Sequence, residues 1–242
     1  MEEKLNGIVV SAIDYRENDK LINVFTLERG MIVAALKGVK KAGAKLKFAA
    51  APFCFAEFVL SVKGDKRTVI GATLTDSFYP LREDLVALYC GGAVTEFIRR
   101  FVKEEIVSPE LFFAAAEALK TLSYGEENKL SVTVRFLLFA LKYSGYALFL
   151  NGCFSCGEEI KNRVFFNSDT GGFYCEDCRE KDMRELNFMT YFALKKAESG
   201  TPLNYEEAVF ALRLIDFYIS SKTEEKINSL KELNKLCANK NV

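Results

Sequence analysis

Four cysteines in two close pairs carry the clearest chemical signal in this sequence. Cys153 and Cys156 form one Cys-x-x-Cys pair, Cys175 and Cys178 form the second, and eighteen residues separate the pairs. Two thiolates on one tight turn can face a single ion, and two such turns supply the tetrahedral sulfur shell of zinc. Four protein ligands leave no open position for water or substrate. The spacing therefore predicts a structural Zn²⁺ ion rather than a catalytic metal.

Other roles for these thiols are two disulfides, a redox-active dithiol, or four unrelated buried side chains. Disulfides persist in oxidising compartments, and the opening residues Met1-Glu2-Glu3-Lys4 have neither the basic nor the apolar region of a secretory signal. We therefore expect a reduced, cytoplasmic protein. The remaining cysteines stand singly in apolar surroundings and are predicted to be core residues: Cys54, Cys90 and Cys237.

The elements that must hold the cysteine pairs are short strands within a helical domain. Residues 163–166 and 172–174 have the composition of two strands around a polar turn. On both sides of them, apolar residues recur at helical spacing. The predicted helices begin near residues 80 and 109 and then cover 129–142, 188–198, 205–220 and 224–237. We expect residues 80–242 to form an α-helical domain with a zinc ribbon inserted at about 150–180.

Residues 1–79 are expected to form a separate β domain. Five runs rich in β-branched and aromatic residues are separated by polar turns and show the alternation of half-buried strands: residues 5–13, 21–27, 31–36, 55–62 and 68–74. Five short strands predict a small barrel, of which the OB-fold is the commonest form. The predicted fold class is therefore α+β, with a five-stranded OB-fold barrel followed by the helical domain.

Positive charge is concentrated in the β domain although the formal net charge of the chain is zero. No acidic residue occurs between Glu28 and Glu57, and the segment Leu36 to Phe48, called the basic segment below, contains five lysines. Such a segment can follow a phosphate backbone and release its counterions. The predicted nucleic-acid contacts are Arg29, Lys37, Lys40, Lys41, Lys45 and Lys47. A solvated loop without a ligand is the alternative.

Residues on which many enzymes depend are missing. The chain has no histidine, so Ser-His and Cys-His nucleophile pairs and the zinc deaminase motif are excluded. No G-x-x-x-x-G-K-[ST] phosphate loop occurs, and no apolar run reaches the ~18 residues needed to span a bilayer. We expect a protein with no catalytic residues, no small-molecule substrate and no membrane partner.

Three functions agree with the residues alone. A small barrel with a basic segment can bind single-stranded DNA, and it can equally serve an RNA-binding OB protein of the translation machinery. A third possibility is a protein–protein adaptor, in which the ribbon and helices bind partners and the basic segment is only solvated surface. Affinity for single-stranded DNA at two salt concentrations separates the first function from the third.

Several segments, in this order, resemble the RecO family of bacterial DNA repair and recombination mediators. They are Gly7-Ile8-Val9-Val10, the stretch from Asp19 to Gly30, the turn Lys37-Gly38-Val39-Lys40-Lys41, and the cysteine quartet in a helical domain. The resemblance covers essentially the whole chain. It implies an N-terminal OB-fold followed by a helical domain that carries a zinc ribbon.

The resemblance also implies a non-enzymatic function. RecO-like proteins bind single- and double-stranded DNA, anneal complementary strands and act with the partner RecR. They help to load the RecA recombinase onto strands coated by SSB, whose acidic tail docks on the helical domain. These activities imply a cytoplasmic protein associated with the nucleoid. The basic cluster that the family usually has near its last helix is poorly matched in this chain.

Overall fold

The structure is a computed structural model that describes residues 1–239. The chain divides into two compact units, Met1–Gly125 and Glu126–Val242. Within the described residues, no helix is both long enough and apolar enough to cross a membrane.

The first unit contains a closed barrel of five strands. The strands are β1 (Glu2–Tyr15), β2 (Asp19–Thr26), β3 (Gly30–Leu36), β4 (Phe55–Lys63) and β5 (Lys66–Asp76). Their order around the barrel is β1-β2-β3-β5-β4, and all neighbours are antiparallel except β3 and β5. The parallel pair Ala35 and Thr68 closes the barrel. The predicted five-stranded barrel is therefore confirmed.

Alternating apolar residues fill the barrel interior, as the period of a strand requires. The interior cluster includes Leu5, Val9, Ile22, Val24, Ile32, Phe58 and Leu60. Burying each large aliphatic or aromatic side chain stabilises the fold by about 1.5–3 kcal/mol. Gly7 is required on β1 because a Cβ there would lie 2.4 Å from Cγ1 of Val24 on the neighbouring strand.

Two helices belong to the same unit as the barrel. They are α1 (Leu85–Phe101) and α2 (Pro109–Tyr124), and α1 packs against β1 and α2. The Asp84 carboxylate accepts a hydrogen bond from the Ala87 N–H and caps α1. The Phe112 ring on α2 lies 5.6 Å from the Phe25 ring and 5.9 Å from the Phe55 ring. Because these contacts join helices to barrel, the first compact unit extends past residue 79, where strands give way to helices. The domain boundary at 79/80 stays a prediction.

Up to residue 239, the second unit contains four α-helices and a small sheet. The helices are α3 (Lys129–Tyr143), α4 (Phe188–Glu198), α5 (Tyr205–Lys222) and α6 (Asn228–Asn239). Helix α5 packs against the other three and buries Leu212, Ile215 and Ile219. It begins with a capping box, in which the Asn204 and Glu207 side chains each accept a backbone N–H.

The ribbon lies between α3 and α4 in the chain, where the cysteine spacing predicts it. Its strands are β6 (Val164–Asn167), β7 (Gly172–Tyr174) and β8 (Arg184–Leu186), in the order β7-β6-β8. The first two correspond to the predicted strands, whereas β8 was not predicted. Its three residues include two charged ones, so no apolar alternation marks it. The fold class, a barrel followed by a helical domain with a cysteine cluster, is confirmed.

Candidate metal centre and nucleic-acid interface

The first cysteine pair lies on a tight turn that the backbone closes. The Cys153 carbonyl accepts a hydrogen bond from the Gly157 N–H at 2.8 Å, and the Cys153 N–H donates to the Glu158 carbonyl at 2.8 Å. Gly157 has φ +76°, a conformation that glycine adopts without a Cβ penalty. The second pair is set by a 3₁₀ turn, Glu176–Cys178, in which the Cys178 N–H donates to the Cys175 carbonyl. Each turn presents two sulfur atoms on one side.

The four sulfur atoms meet in a cluster whose size fits one zinc ion. The Sγ atoms of Cys153, Cys156, Cys175 and Cys178 all lie within 4.8 Å of one another, and those of Cys156 and Cys175 are 3.9 Å apart. A tetrahedron with Zn–S bonds of about 2.3 Å has sulfur–sulfur edges of about 3.8 Å. A donor set made of thiolates alone favours zinc over hard cations such as Mg²⁺ and Ca²⁺. The residues present therefore fit the expected metal, and their role as its ligands stays a prediction.

The local electrostatics favour a thiolate at one corner of the cluster. Burial opposes ionisation of Cys153, but N–H groups of Cys156, Cys175 and Ser155 donate to its sulfur and lower its pKa to about 6. The pKa of Cys178 rises to about 12, because side-chain hydrogen bonds with Cys175 and Cys156 favour its protonated form. Four thiols at this separation cannot all ionise without a cation between them. A bound Zn²⁺ would supply that charge and hold all four as thiolates.

Aromatic residues bind the ribbon to the helices of the same unit. The Tyr191 hydroxyl on α4 accepts a hydrogen bond from the Gly152 N–H and donates one to the Leu150 carbonyl, both at 3.2 Å. The Phe173 ring lies 5.0 Å from the Tyr191 ring, and the Phe166 ring lies 5.7 Å from the Tyr218 ring on α5. The ribbon is thus part of the core of this unit, so a metal that orders the ribbon would also stabilise the helices.

The basic segment is anchored to the barrel rather than extended from it. The Gly38 N–H donates to the Asp19 carboxylate at 2.7 Å, and the Lys40 N–H donates to the Asn18 carbonyl at 3.1 Å. Val39 is buried at 3% exposure, and Leu46 packs against the barrel core. These contacts tie residues 38–40 and 46 to the barrel, while the lysine side chains of the segment are exposed.

Two of the six predicted nucleic-acid contacts are engaged in ion pairs. Arg29 Nη2 lies 2.8 Å from a Glu3 carboxylate oxygen, and Lys40 Nζ lies 2.9 Å from Asp14 Oδ2. The other four are exposed, and within residues 1–239 none has an acidic partner at ion-pair distance: Lys37, Lys41, Lys45 and Lys47. All six belong to the first unit, and their contact with nucleic acid stays a prediction.

A groove on the barrel surface adds residues that sequence reasoning missed. It has a volume of about 420 Å³ and is bordered by β2, β3, the β1–β2 turn and the β4–β5 turn. Its lining includes Tyr15, Arg16, Leu21, Val33, Lys37, Lys66 and Arg67. The Arg16 guanidinium lies 5.1 Å from the Tyr15 ring centroid, and Arg67 is paired with Glu105. The β2–β3 face and these two turns are the surface with which OB-folds bind oligonucleotides.

The groove combines the two features that single-strand binding requires. Cations at its rim can neutralise phosphates, and exposed Tyr15 and Val33 can contact base faces. The sequence feature that could have identified this groove is the turn from Lys63 to Arg67, where three of the five residues are basic. Arg16 gave no such signal because it stands alone in the sequence and joins the groove only through strand pairing.

A second concave surface lies in the helical unit. This pocket of about 360 Å³ is bordered by α3, by residues 147–151 and by the end of α4. Buried Leu148 and Leu150 and exposed Phe139 and Phe149 give it apolar walls. Two cations, Arg135 and Lys142, and one anion, Glu198, complete the lining. Arg135 is held by Glu127 through two hydrogen bonds of 2.9 and 2.7 Å, whereas exposed Lys142 has no acidic partner within the described chain.

These features define an OB-like barrel protein with exposed cations on the barrel and a cluster of four cysteines in a helical unit. Family models match both parts of the chain: recombination protein O N terminal over residues 1–78, and recombination protein O C terminal over residues 82–231. The chain therefore belongs to the RecO family of DNA repair proteins.

Three curated relatives are similar over 88% or more of their length. A protein of Desulforamulus reducens named DNA repair protein RecO is 29% identical over 233 residues, which cover 90% of each chain. A protein of the same name from Acetivibrio thermocellus is 26% identical over 95% of this chain and 88% of its own. The one from Clostridium novyi is 26% identical over 96% and 94%. The resemblance inferred from the sequence is thereby confirmed.

Proposed function

We propose that this protein is a non-enzymatic recombination mediator in DNA repair, which binds DNA and anneals complementary single strands. In this proposal it acts with RecR and helps to load the RecA recombinase onto strands coated by SSB. One observation carries the proposal: four exposed lysines of the basic segment, none with an acidic partner within residues 1–239, lie on an OB-like barrel. Membership of a DNA repair family supports it.

The chemistry of the basic segment suits annealing. Two complementary strands repel each other through their phosphates, and lysine ammonium groups reduce that repulsion as they displace counterions. Phosphate contacts carry no sequence information, so any pair of complementary strands is accepted. Charge of this kind also attracts double-stranded DNA. Because the backbone of the segment is pinned through Gly38 and Lys40 while the lysine heads remain free, the strands are held without a rigid base-reading site.

The cysteine cluster has a structural part in this proposal. Four thiolates fill the coordination shell of zinc, so the ion adds folding energy to the helical unit and supplies no open site for chemistry. Free thiols persist in reducing compartments, which supports a cytoplasmic location. The proposed DNA binding would place the protein on the nucleoid.

The pocket of the helical unit is the proposed docking site for the SSB tail. The RecO resemblance implies that this tail is acidic and that it docks on the helical domain. The pocket offers an acidic peptide a cation, because Lys142 stands free at the rim, and the buried side chains of Leu148 and Leu150 line it with apolar surface. Arg135 is less available because Glu127 holds it.

The test of the barrel interface is the salt dependence of single-stranded DNA binding. A triple variant, Lys41→Gln, Lys45→Gln and Lys47→Gln, removes three exposed charges, and each lost phosphate contact lowers the slope of log K against log salt by about 0.7. We expect the slope to fall by up to about 2 in magnitude. The matched control removes three exposed charges from the helical unit: Lys195→Gln, Lys226→Gln and Lys231→Gln.

The outcomes separate the candidate functions. If the triple variant has the same salt slope as the parent protein, the basic segment is not part of the DNA interface. Absence of single-stranded DNA binding even at low salt contradicts the mediator function and favours the adaptor. Preference for RNA over DNA of the same sequence favours the RNA-binding protein, since the 2′-hydroxyl is the group that distinguishes them.

A further inference from the structure

A small pocket in the helical unit lies between the last ribbon strand and two helices. It has a volume of about 230 Å³ and is bordered by β8, the start of α4 and the middle of α5. Two arginines from different elements line it, Arg184 on β8 and Arg213 on α5. The two arginines are separated by 28 residues in the sequence, and neither belongs to a recognisable binding motif.

The pocket carries uncompensated positive charge. Within residues 1–239, neither Arg184 nor Arg213 has an acidic partner at ion-pair distance. Glu185 also lines the pocket, but both of its carboxylate oxygens accept hydrogen bonds from Arg163, at 2.8 Å each. Its charge is therefore already matched, and the two pocket arginines remain in excess.

One of these arginines is held in place by a ring. The Arg184 guanidinium carbon lies 4.6 Å from the centroid of the Phe217 ring on α5. Such a cation–π contact covers one face of the guanidinium and leaves its N–H edge free to donate. Part of the entropy cost of binding an anion is therefore already met in the free protein.

The helix side of the pocket also favours an anion. Helix α4 starts at the pocket with Asn187 as its cap, and its first turn contains no acidic residue that would neutralise the helix dipole. Thr190 lines the pocket and is 5% exposed. Within the described residues its hydroxyl has no hydrogen-bond partner. A hydroxyl that lines the pocket and has no protein partner can donate to a bound oxyanion.

We propose that this pocket binds one phosphate group of a nucleic-acid backbone, with Arg184 and Arg213 as the charged contacts and Thr190 as a neutral donor. The proposal rests on the proposed DNA-binding function and extends it to a second surface, in the helical unit. Two guanidiniums can each donate two N–H groups to phosphate oxygens, a geometry that arginine provides and lysine does not. Phe210, half-buried at the pocket wall, offers an apolar contact for the neighbouring sugar or base.

The experiment measures binding of a labelled oligodeoxythymidylate of about 30 nucleotides, about twice the longest site of a single OB-fold, over a series of salt concentrations. The proteins are the parent, the double variant Arg184→Gln with Arg213→Gln, and the control Lys226→Gln with Lys231→Gln, which removes the same charge from exposed positions of α6 and its preceding loop. Zinc content and the thermal unfolding midpoint of each variant are measured first.

We expect the slope of log K against log salt to fall by about 0.7 in the pocket variant, the value for one phosphate of a single strand. Low-salt affinity should fall by at least about tenfold, since even one lost charge-assisted hydrogen bond has that effect, and the control should match the parent. If Arg184→Gln disturbs the ribbon, Arg213→Gln alone serves, since Arg213 is exposed on α5 and should show a smaller loss of affinity in the same direction.

Two results would overturn the proposal. One is a pocket variant with the slope and affinity of the parent, and the other is an equal loss in the α6 control, which would mean that only net charge matters. In the first case the barrel variant Lys41→Gln, Lys45→Gln and Lys47→Gln still tests the proposed function, because it alone should then lose binding. In the second case, a loss in the barrel variant larger than the loss in the α6 control would still support the proposed function. A parent that binds no DNA at low salt contradicts both.

Discussion

Lys40 Nζ lies 2.9 Å from Oδ2 of Asp14, so a lysine of the basic segment is bound by a carboxylate of the same barrel. Lys20 contacts the other oxygen of Asp14 at 3.2 Å. Hydrogen bonds from Lys40 and then Lys20 lower the pKa of Asp14. The aspartate therefore stays ionised at neutral pH and competes with a DNA phosphate for these two lysines.

Asp14→Asn should strengthen single-stranded DNA binding. The substitution frees Lys40 and Lys20 and removes one negative charge next to the basic segment, so one further phosphate can be neutralised. We expect the salt slope to rise by about 0.7 in magnitude. Glu83→Gln, at an exposed acidic residue of the same unit, is the control for charge alone. Equal slopes for the two variants would show that Asp14 does not restrain the lysines.

Each chain should bind one zinc ion through the cysteine cluster. Cys153→Ser removes a ligand whose pKa is already lowered to about 6, and we expect the bound metal to be lost. Cys54→Ala is the control, because that thiol is buried in the barrel and burial raises its pKa to about 11. Elemental analysis of freshly purified reduced protein measures the stoichiometry. Zinc-free parent protein would contradict the assignment of the cluster.

Removal of the metal should affect the helical unit and spare the barrel. Chelation releases four thiols that lie within 4.8 Å of one another, and the ribbon that α4 and α5 pack against loses its order. Hydrogen exchange measured by mass spectrometry should become faster in residues 150–198 and stay unchanged in residues 1–76. Faster exchange throughout the barrel strands would contradict the independence of the two parts.

Stability of the helical unit should fall in acid through Glu207. Its carboxylate is 8% exposed, accepts from Lys196 at 2.8 Å and caps α5. The hydrogen bond from Lys196 lowers its pKa. The carboxylate therefore makes its full contribution to the free energy of unfolding above about pH 4.3, the pKa of glutamate in the unfolded chain. That contribution is lost as the pH falls through the lower pKa of the folded protein.

Glu207→Ala should cost about 1–3 kcal/mol at pH 7, because Lys196 is left without its partner and α5 loses a capping contact. The difference from the parent should narrow below about pH 4. Urea denaturation of both proteins at pH 7 and pH 3.5 measures it. A cost that does not change with pH would mean that the carboxylate charge makes no contribution.

Lys142→Glu should abolish docking of an acidic peptide in the pocket of the helical unit. The change replaces the free cation at the rim by an anion, in a pocket that Glu198 also lines, and leaves Leu148 and Leu150 unchanged. A fluorescent peptide with the sequence of the SSB tail, measured by anisotropy, should bind the parent and bind the variant at least about tenfold more weakly. Lys129→Glu, at the opposite end of α3, is the charge control. Equal peptide affinity for Lys142→Glu and the parent would exclude this pocket.

Local patterns in the sequence determined much of the fold. The Cys-x-x-Cys spacing predicted the position of the ribbon, because two residues between cysteines restrict the backbone to a tight turn. Helix α4, Phe188–Glu198, matches the range predicted for it, and the structure shows Asn187 capping its start. The five barrel strands followed from alternation, which is also a property of neighbouring residues.

Tertiary structure alone decided which charges are available. The sequence treats the six predicted contacts alike, but Arg29 is paired with Glu3 and Lys40 with Asp14, each across 26 residues of chain. The barrel groove unites Arg16 with Arg67, and the pocket of the helical unit unites Arg184 with Arg213. Which of these residues lie close together depends on strand register and helix packing. Since both are set by burial of apolar side chains far away in sequence, no local pattern of charges could reveal them.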